Sequence, residues 1–191
     1  MNIIRSIKTL RKSLNLWRLR RAGLTIGSNC SFAGLPDFGS EPYLISIGNN
    51  VAMAGDISFL THDGGTQVFN RAERYRHVIK YGRIHILDNC VIGERVLILP
   101  GVTIGPTSVV AAGSVVTRNI PAGVLASGNP ARPVMTTLQY AEWSLAATPD
   151  YNLQEYHCDK KKFLMKFPMR GASPAPTCQG GRSAIASDNA D

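Results

Sequence analysis

The stretch CVIGERVLILPGVTIGPTSVVAAGSVV, residues 90–116, is made of valine, isoleucine, leucine and glycine with almost no charge. A helix would place apolar residues at i, i+3, i+4 and i+7, which is not the pattern here. It would also lose roughly 1 kcal/mol at each of Gly93, Gly101, Gly105 and Gly113 and break at Pro100 and Pro106. A single strand of this length exceeds the usual ~3–10 residues. A period of six resolves the stretch. Cut from Ile86, it reads ILDNCV, IGERVL, ILPGVT, IGPTSV, VAAGSV, VTRNIP. Position one holds Ile86, Ile92, Ile98, Ile104, Val110 and Val116. Position five holds Cys90, Val96, Val102, Ser108, Ser114 and Ile120. A fixed short period is the mark of a repeat architecture.

The physical reading is a triangular coil. Each hexad makes one short side and one corner, with the β-branched first residue pointing inward and the small fifth residue beneath it. The frequent glycine at position two is expected to take the corner dihedrals that other residues resist. Stacked coils then form three parallel sheets around a narrow apolar core, and each coil depends on its neighbours. The same period recurs upstream at Ile26-Gly27-Ser28-Asn29-Cys30-Ser31 followed by Phe32, and again at Ile47, Met53 and Phe59 with Val51 and Ile57 at fifth positions. It is lost in GGTQVFNRAERYRHVIKYGR, residues 64–83, a polar and basic segment expected to leave the coil as a loop.

The 191-residue chain has a formal net charge of +8, unevenly placed. Residues 1–21 contribute +7 with no acid, residues 159–170 contribute +4, and the remainder is −3. The coil itself is not basic, which argues against a nucleic-acid partner. No apolar run reaches the length of a transmembrane helix, and the interleaved charges at the N-terminus do not form a signal peptide. The four cysteines lack CxxC spacing. Cys30 and Cys90 fall on fifth positions as small reduced core residues, while Cys158 and Cys178 lie outside the repeat. The default expectation is a cytoplasmic protein.

Residues 1–22 read as a basic amphipathic helix, with Ile3, Ile7, Leu10, Leu14 and Trp17 at three-four spacing beside Arg5, Lys8, Arg11 and Lys12. One reading has it cap an end of the coil. The sharper reading lays it on the anionic inner membrane surface. Residues 23–134 form the coil domain with its loop at 64–83. Residues 135–170 form a helical extension, in which Leu138, Ala141, Trp143 and Leu145 suit a short helix and Pro149 separates a second. Residues 171–191 are small, polar and rich in Pro and Gly, and are expected to be disordered.

The hexads end in VIGERVLILPGVTIGPTSVVAAGSVVTRNIPAGVLASGNPARPV. This run, with Gly105, AAGSVVTRNIP and the closing GNPAR, resembles the hexapeptide-repeat acyltransferases, above all the saccharide O-acetyltransferases related to galactoside and maltose acetyltransferases. The resemblance covers residues 24–134, and residues 135–168 also resemble the C-terminal helices of cell-surface polysaccharide acetyltransferases. It implies a left-handed parallel β-helix, a homotrimer with active sites between subunits, and acetyl-coenzyme A as donor without a required metal. Acetylating a sugar hydroxyl needs a base, and histidine suits neutral pH. His62, in ISFLTHDGG where the register breaks, matches the family's catalytic histidine. Asp63 or Asp56 is a candidate to orient its imidazole, as a carboxylate does in the hydrolase triad, and both are candidates to bind the acceptor.

By the same resemblance Ala112 and Gly113 allow close approach of the pantetheine arm. Thr117 and Arg118 match a threonine–lysine pair near the donor, and Arg132 of GNPAR matches an arginine near the nucleotide phosphates. The chain departs from many relatives at Val91, where they have tryptophan, and at Met135, where they have a basic residue. Arg71 and Arg74 of the loop are candidates to meet an acidic acceptor such as a phosphate-linked sugar of a cell-surface polysaccharide or lipopolysaccharide precursor. Sugar-nucleotide N-acetyltransferases and serine acetyltransferases are neighbouring alternatives, and a non-catalytic β-helix scaffold is a more distant one. The zinc-dependent carbonic anhydrases of the same coil need three converging histidines, and His62, His77 and His85 do not have that spacing.

Overall fold

In the computed structural model, whose described residues are 3–167, the hexads wind into a left-handed parallel β-helix. Helix α1 (Ile3–Arg21) comes first. Short strands follow, one per coil side: β1 (Thr25–Ile26), β2 (Ser31–Phe32), β3 (Ile45–Ile47), β4 (Ala52–Met53) and β5 (Ser58–Phe59). After the loop come β6 (Ile84–Ile86), β7 (Val91–Ile92), β8 (Leu97–Ile98), β9 (Thr103–Ile104), β10 (Val109–Val110) and β11 (Val115–Val116). A terminal hairpin is made by β12 (Val124–Gly128) and β13 (Ala131–Thr136). The first sheet is ordered β1-β3-β6-β9, the second β2-β4-β7-β10-β12-β13, and the third β5-β8-β11. Among the strands of the described residues, only β12 and β13 pair antiparallel.

The register follows from the period. Ile104 lies on Ile86, Val110 on Ile92 and Val116 on Ile98, so three hexads make one turn. All six first-position residues are buried, as are the fifth-position residues from Cys90 to Ile120. The polar members of that set are bonded: Ser108 Oγ donates to the Pro121 carbonyl at 2.8 Å, and Ser114 Oγ accepts from Gly128 N at 3.2 Å. Burial holds the Cys90 thiol above its usual pKa, so it stays protonated. The first coil also places Phe38 in the core, stacked on Phe59 with ring centroids 5.1 Å apart.

The corners correct the glycine expectation. Positive φ falls at position four, on Asn89 (60°), Arg95 (57°), Gly101 (83°), Thr107 (57°) and Gly113 (72°). The second-position glycines serve a different need. A Cβ on Gly93 would lie 2.4 Å from Ala112 N, and one on Gly105 would lie 2.5 Å from Ala122 N. Coil stacking, not dihedral freedom, selects glycine there.

Helix α1 packs on the first coil, as the capping reading has it, but not through the stripe of Leu10, Leu14 and Trp17. The side that meets the first coil carries Lys12, Leu16 and Leu19: Lys12 Nζ donates to the Phe32 carbonyl, and Leu19 packs on the core. Leu10, Leu14 and Trp17 are exposed instead. Helices α2 (Thr137–Ala147), α3 (Leu153–Cys158) and α4 (Lys160–Lys166) end the described chain. Asn152 caps α3 through Gln154 N at 2.9 Å, and Asp159 caps α4 through Lys162 N at 3.0 Å. Phe163 is buried against Tyr151, Tyr156 and Phe167. Residues 171–191 and Cys178 lie outside the described residues.

Candidate active site

Two coils leave the 18-residue register, and both do so at the same corner, between the third sheet and the first. Ile26 pairs with Ile47, three residues beyond one turn, and the excess sits around the 3-10 turn Pro42–Leu44. Ile47 pairs with Ile86, and here the excess is the loop at 64–83. Glu41 belongs to the first insertion and His62 opens the second. Stacking therefore sets Glu41 and His62 on neighbouring coils at one edge of the prism.

Their side chains meet. His62 Nδ1 lies 3.0 Å from Glu41 Oε2. The same oxygen accepts the Thr61 hydroxyl at 2.5 Å, and Thr61 is buried. These two bonds, the Thr61 hydroxyl first and the imidazole second, hold the Glu41 carboxyl below its usual pKa. An ionised Glu41 accepts the hydrogen on Nδ1 and leaves Nε2 as the basic nitrogen of the ring. The backbone of His62 is held as well. Residues 61–63 pair antiparallel with 80–82 through Gly82 N to the Thr61 carbonyl and Asp63 N to the Lys80 carbonyl, both at 2.9 Å. The Tyr81 ring lies 5.4 Å from the imidazole, centroid to centroid.

The aspartates expected to orient the imidazole are occupied elsewhere. Asp63 accepts from Lys80 Nζ at 2.7 Å and from Gly65 N at 2.9 Å, and Lys80 above all pushes its pKa down. It fastens the base of the loop. Asp56 sits at a different corner, between the second and third sheets, 3.9 Å from Arg95. The hexad pattern does not by itself reveal Glu41, because the three-residue slip between Ile26 and Ile47 lies in ordinary-looking sequence. That slip is the available signal: Ile47, Met53 and Phe59 run three residues out of phase with Ile26, Phe32 and Phe38, so a break falls between Phe38 and Ile47, the interval that holds Glu41.

The imidazole, with its side chain 44% exposed, opens on a groove of about 570 Å³. Leu60, Leu99 and Pro100 form its apolar wall, and Asp63, Lys80 and Thr117 its polar rim. Arg118 is exposed at the same corner, directly after Thr117. Ala112 and Gly113 are exposed at the Asp56 corner and are not among the residues lining this groove. Arg132 lies exposed on β13 opposite Ser127 and donates Nη1 to the Ala131 carbonyl at 2.9 Å. Met135 is buried on the same strand, while Val91 is exposed. In the loop, Arg71 and Arg74 are exposed, the latter over the Tyr75 ring at 5.4 Å.

His85 does not join His62. It projects from the first sheet, where its Nδ1 lies 2.6 Å from Ser46 Oγ. Among the described residues no group of three or more His, Cys, Asp or Glu is arranged to hold a metal ion. A larger groove, about 680 Å³, lies between α1 and the first coil, but no histidine or carboxylate lines it. Of these two grooves, the one at the His62 corner is the one that holds a histidine and a carboxylate.

The profile of the bacterial transferase hexapeptide family (six repeats) matches residues 83–118. Protein CapG of Staphylococcus aureus is 38% identical over 161 residues, which are 83% of this chain and 92% of that protein. Galactoside O-acetyltransferase of Escherichia coli K12 is 38% identical over 96 residues, 49% of this chain and 45% of that enzyme. The crystal structure of a maltose O-acetyltransferase from Clostridium difficile 630 aligns with a TM-score of 0.49 and 27% identity, over 62% of this chain and 72% of that one.

Proposed function

Because this chain belongs to the bacterial hexapeptide transferase family and is an acyltransferase, we propose that it moves an acetyl group from acetyl-coenzyme A to a saccharide hydroxyl, with His62 as general base. The observation that carries the reading is the Thr61–Glu41–His62 chain at the mouth of the groove. An alcohol is a weak nucleophile until its proton is taken. Nε2 of His62 accepts the hydroxyl proton as the oxygen attacks the thioester carbonyl. The C–O bond forms, the C–S bond breaks, and the proton passes from the imidazolium to the departing thiolate. Glu41 is a positioning residue: it keeps the hydrogen on Nδ1 and stabilises the transient imidazolium.

The donor is read onto Ala112, Gly113, Thr117, Arg118 and Arg132. Within one coil stack the first four divide between two corners, with Thr117 bordering the His62 groove and Arg118 beside it, while Ala112 and Gly113 sit one corner away and Arg132 lies on the terminal hairpin. A groove shared by two copies, with the His62 edge of one facing the Ala112–Gly113 edge of the next, brings them together. That geometry supports a homotrimer with its sites between subunits. The loop adds to it, since Val68 is 84% and Ile79 78% exposed, apolar surface that a neighbouring copy would cover. Arg71 and Arg74 suit an acceptor carrying phosphate, as a precursor of a cell-surface glycan does.

The test is thiol release from acetyl-coenzyme A with a panel of sugars, sugar nucleotides and serine, using wild type and His62→Ala. Sugar-dependent release that falls by at least about 10²-fold in the variant is expected. Equal release by both proteins would remove His62 from the reaction. No release with any acceptor, together with no binding of coenzyme A, would overturn the donor assignment.

A further inference from the structure

Helix α1 has two long faces, and the coil uses one. Lys12, Leu16 and Leu19 turn toward the first coil. The remaining surface presents Leu10, Leu14 and Trp17, which are 71%, 47% and 54% exposed, with Trp17 also at the rim of the groove along the first coil. Arg11, Arg18 and Arg21 are exposed beside them, and the Arg21 guanidinium lies 5.0 Å from the Trp17 ring centroid. Residues 1–21 contain seven cations and no acid.

We infer that this outer face of α1 docks on an anionic bilayer surface. An apolar stripe flanked by arginines on a helix already fastened along its other side is the arrangement of an interfacial helix. Leu10, Leu14 and Trp17 enter the boundary between headgroups and acyl chains, and the flanking guanidiniums reach lipid phosphates. The charge selects the occupant. A second copy of the chain would bring two helices of like charge together, with no acid in either to offset them. Among the described residues no helix is long and apolar enough to cross a membrane, so the contact is with the surface. The inference stands independently of the acetyl-transfer reading. Its consequence is that the fixed packing of α1 on the first coil would hold the coil at the lipid surface.

The test is flotation of the full chain with phosphatidylcholine vesicles, with and without phosphatidylglycerol. Co-flotation is expected only with the anionic lipid and should fall as salt rises. Leu10→Glu with Leu14→Glu should abolish it, and Arg11→Gln, Arg18→Gln and Arg21→Gln should each lower partitioning about five-fold. The chain has two tryptophans, so a Trp143→Phe background isolates Trp17, whose emission should shift to the blue on anionic vesicles even if the glutamate variants fold poorly. Absent co-flotation, co-flotation unchanged in the glutamate variants, or Trp17 emission unchanged by vesicles would each overturn the inference. Self-association lost in those variants without any vesicle binding would assign the face to a second copy instead.

Discussion

Glu41 Oε2 lies 3.0 Å from His62 Nδ1 although the two residues are 21 positions apart in the chain and neither belongs to a strand. Each is in an insertion, and the two insertions leave successive coils at one corner. A repeat of rigid coils offers few places for irregular backbone. Placing two insertions one above the other makes a polar pair without disturbing the core beneath, where Ile45, Ile57 and Phe59 remain buried.

Replacing Glu41 by Gln keeps the size of the side chain but removes the charge that holds the tautomer. We expect kcat to fall about ten- to a hundredfold with little change in KM, short of the ~10⁴ loss for a fully buried triad carboxylate, because this imidazole is half exposed. Steady-state kinetics with both substrates would read the split. A raised KM at unchanged kcat would mean that Glu41 shapes the groove and does not position the base.

Asp63 gives a pH prediction. Lys80 and Gly65 N hold its carboxyl below the usual range. A carboxylate with a lowered folded-state pKa contributes stability that is fully present above its unfolded pKa and is lost as pH falls through the lowered value. Asp63→Asn should therefore lower Tm at neutral pH and flatten the decline of Tm on the acid side. The base of the loop at 64–83 should also become more open to proteolysis. Parallel Tm–pH curves for wild type and variant would show that the Lys80 contact adds nothing.

Asn29, Asn50 and Asn89 stack on one corner, each at positive φ, with amide-to-carbonyl bonds of 3.2 and 3.1 Å between successive side chains. Asn50 contributes twice, through its backbone and through the ladder. Asn50→Gly keeps the backbone and removes the ladder, while Asn50→Ala removes both and adds the left-handed strain of about 1–2 kcal/mol. Chemical denaturation should rank wild type above Gly and Gly above Ala. If the Gly variant matches wild type, the side-chain ladder is decorative.

Much of this architecture could be read directly because a period of six has a single geometric meaning. The inward set from Ile86 to Ile120 follows from counting alone. What counting could not supply was the chemistry of the breaks. The loop is visible because it is long and polar, but the three extra residues before Ile45 look like ordinary sequence, and so the sequence points to Asp63 or Asp56, the acids near His62 in the chain, and not to Glu41. The stripe on α1 was legible as a stripe. Its direction was not, because Lys12, Leu16 and Leu19 repeat at the same spacing as Leu10, Leu14 and Trp17, and only the coil decides which side it takes.

The glycines make the last distinction testable. Gly93 has no room: its Cβ would lie 2.4 Å from Ala112 N in the next coil, a backbone atom that cannot move without shifting a whole side of the prism. Gly113 has room, with nothing within 4 Å of its Cβ, but holds φ at +72°. Gly93→Ala should therefore act as overpacking, costing about 1–3 kcal/mol or more. Gly93→Asn should be worse still, because the larger side chain meets the same backbone. At Gly113 the order reverses. Ala pays the left-handed penalty, while Asn, which already takes that conformation at residues 29, 50 and 89, should come close to wild type. Urea midpoints for the four variants would decide, and equal losses for Ala and Asn at Gly113 would mean that the corner dihedral is not what selects glycine there.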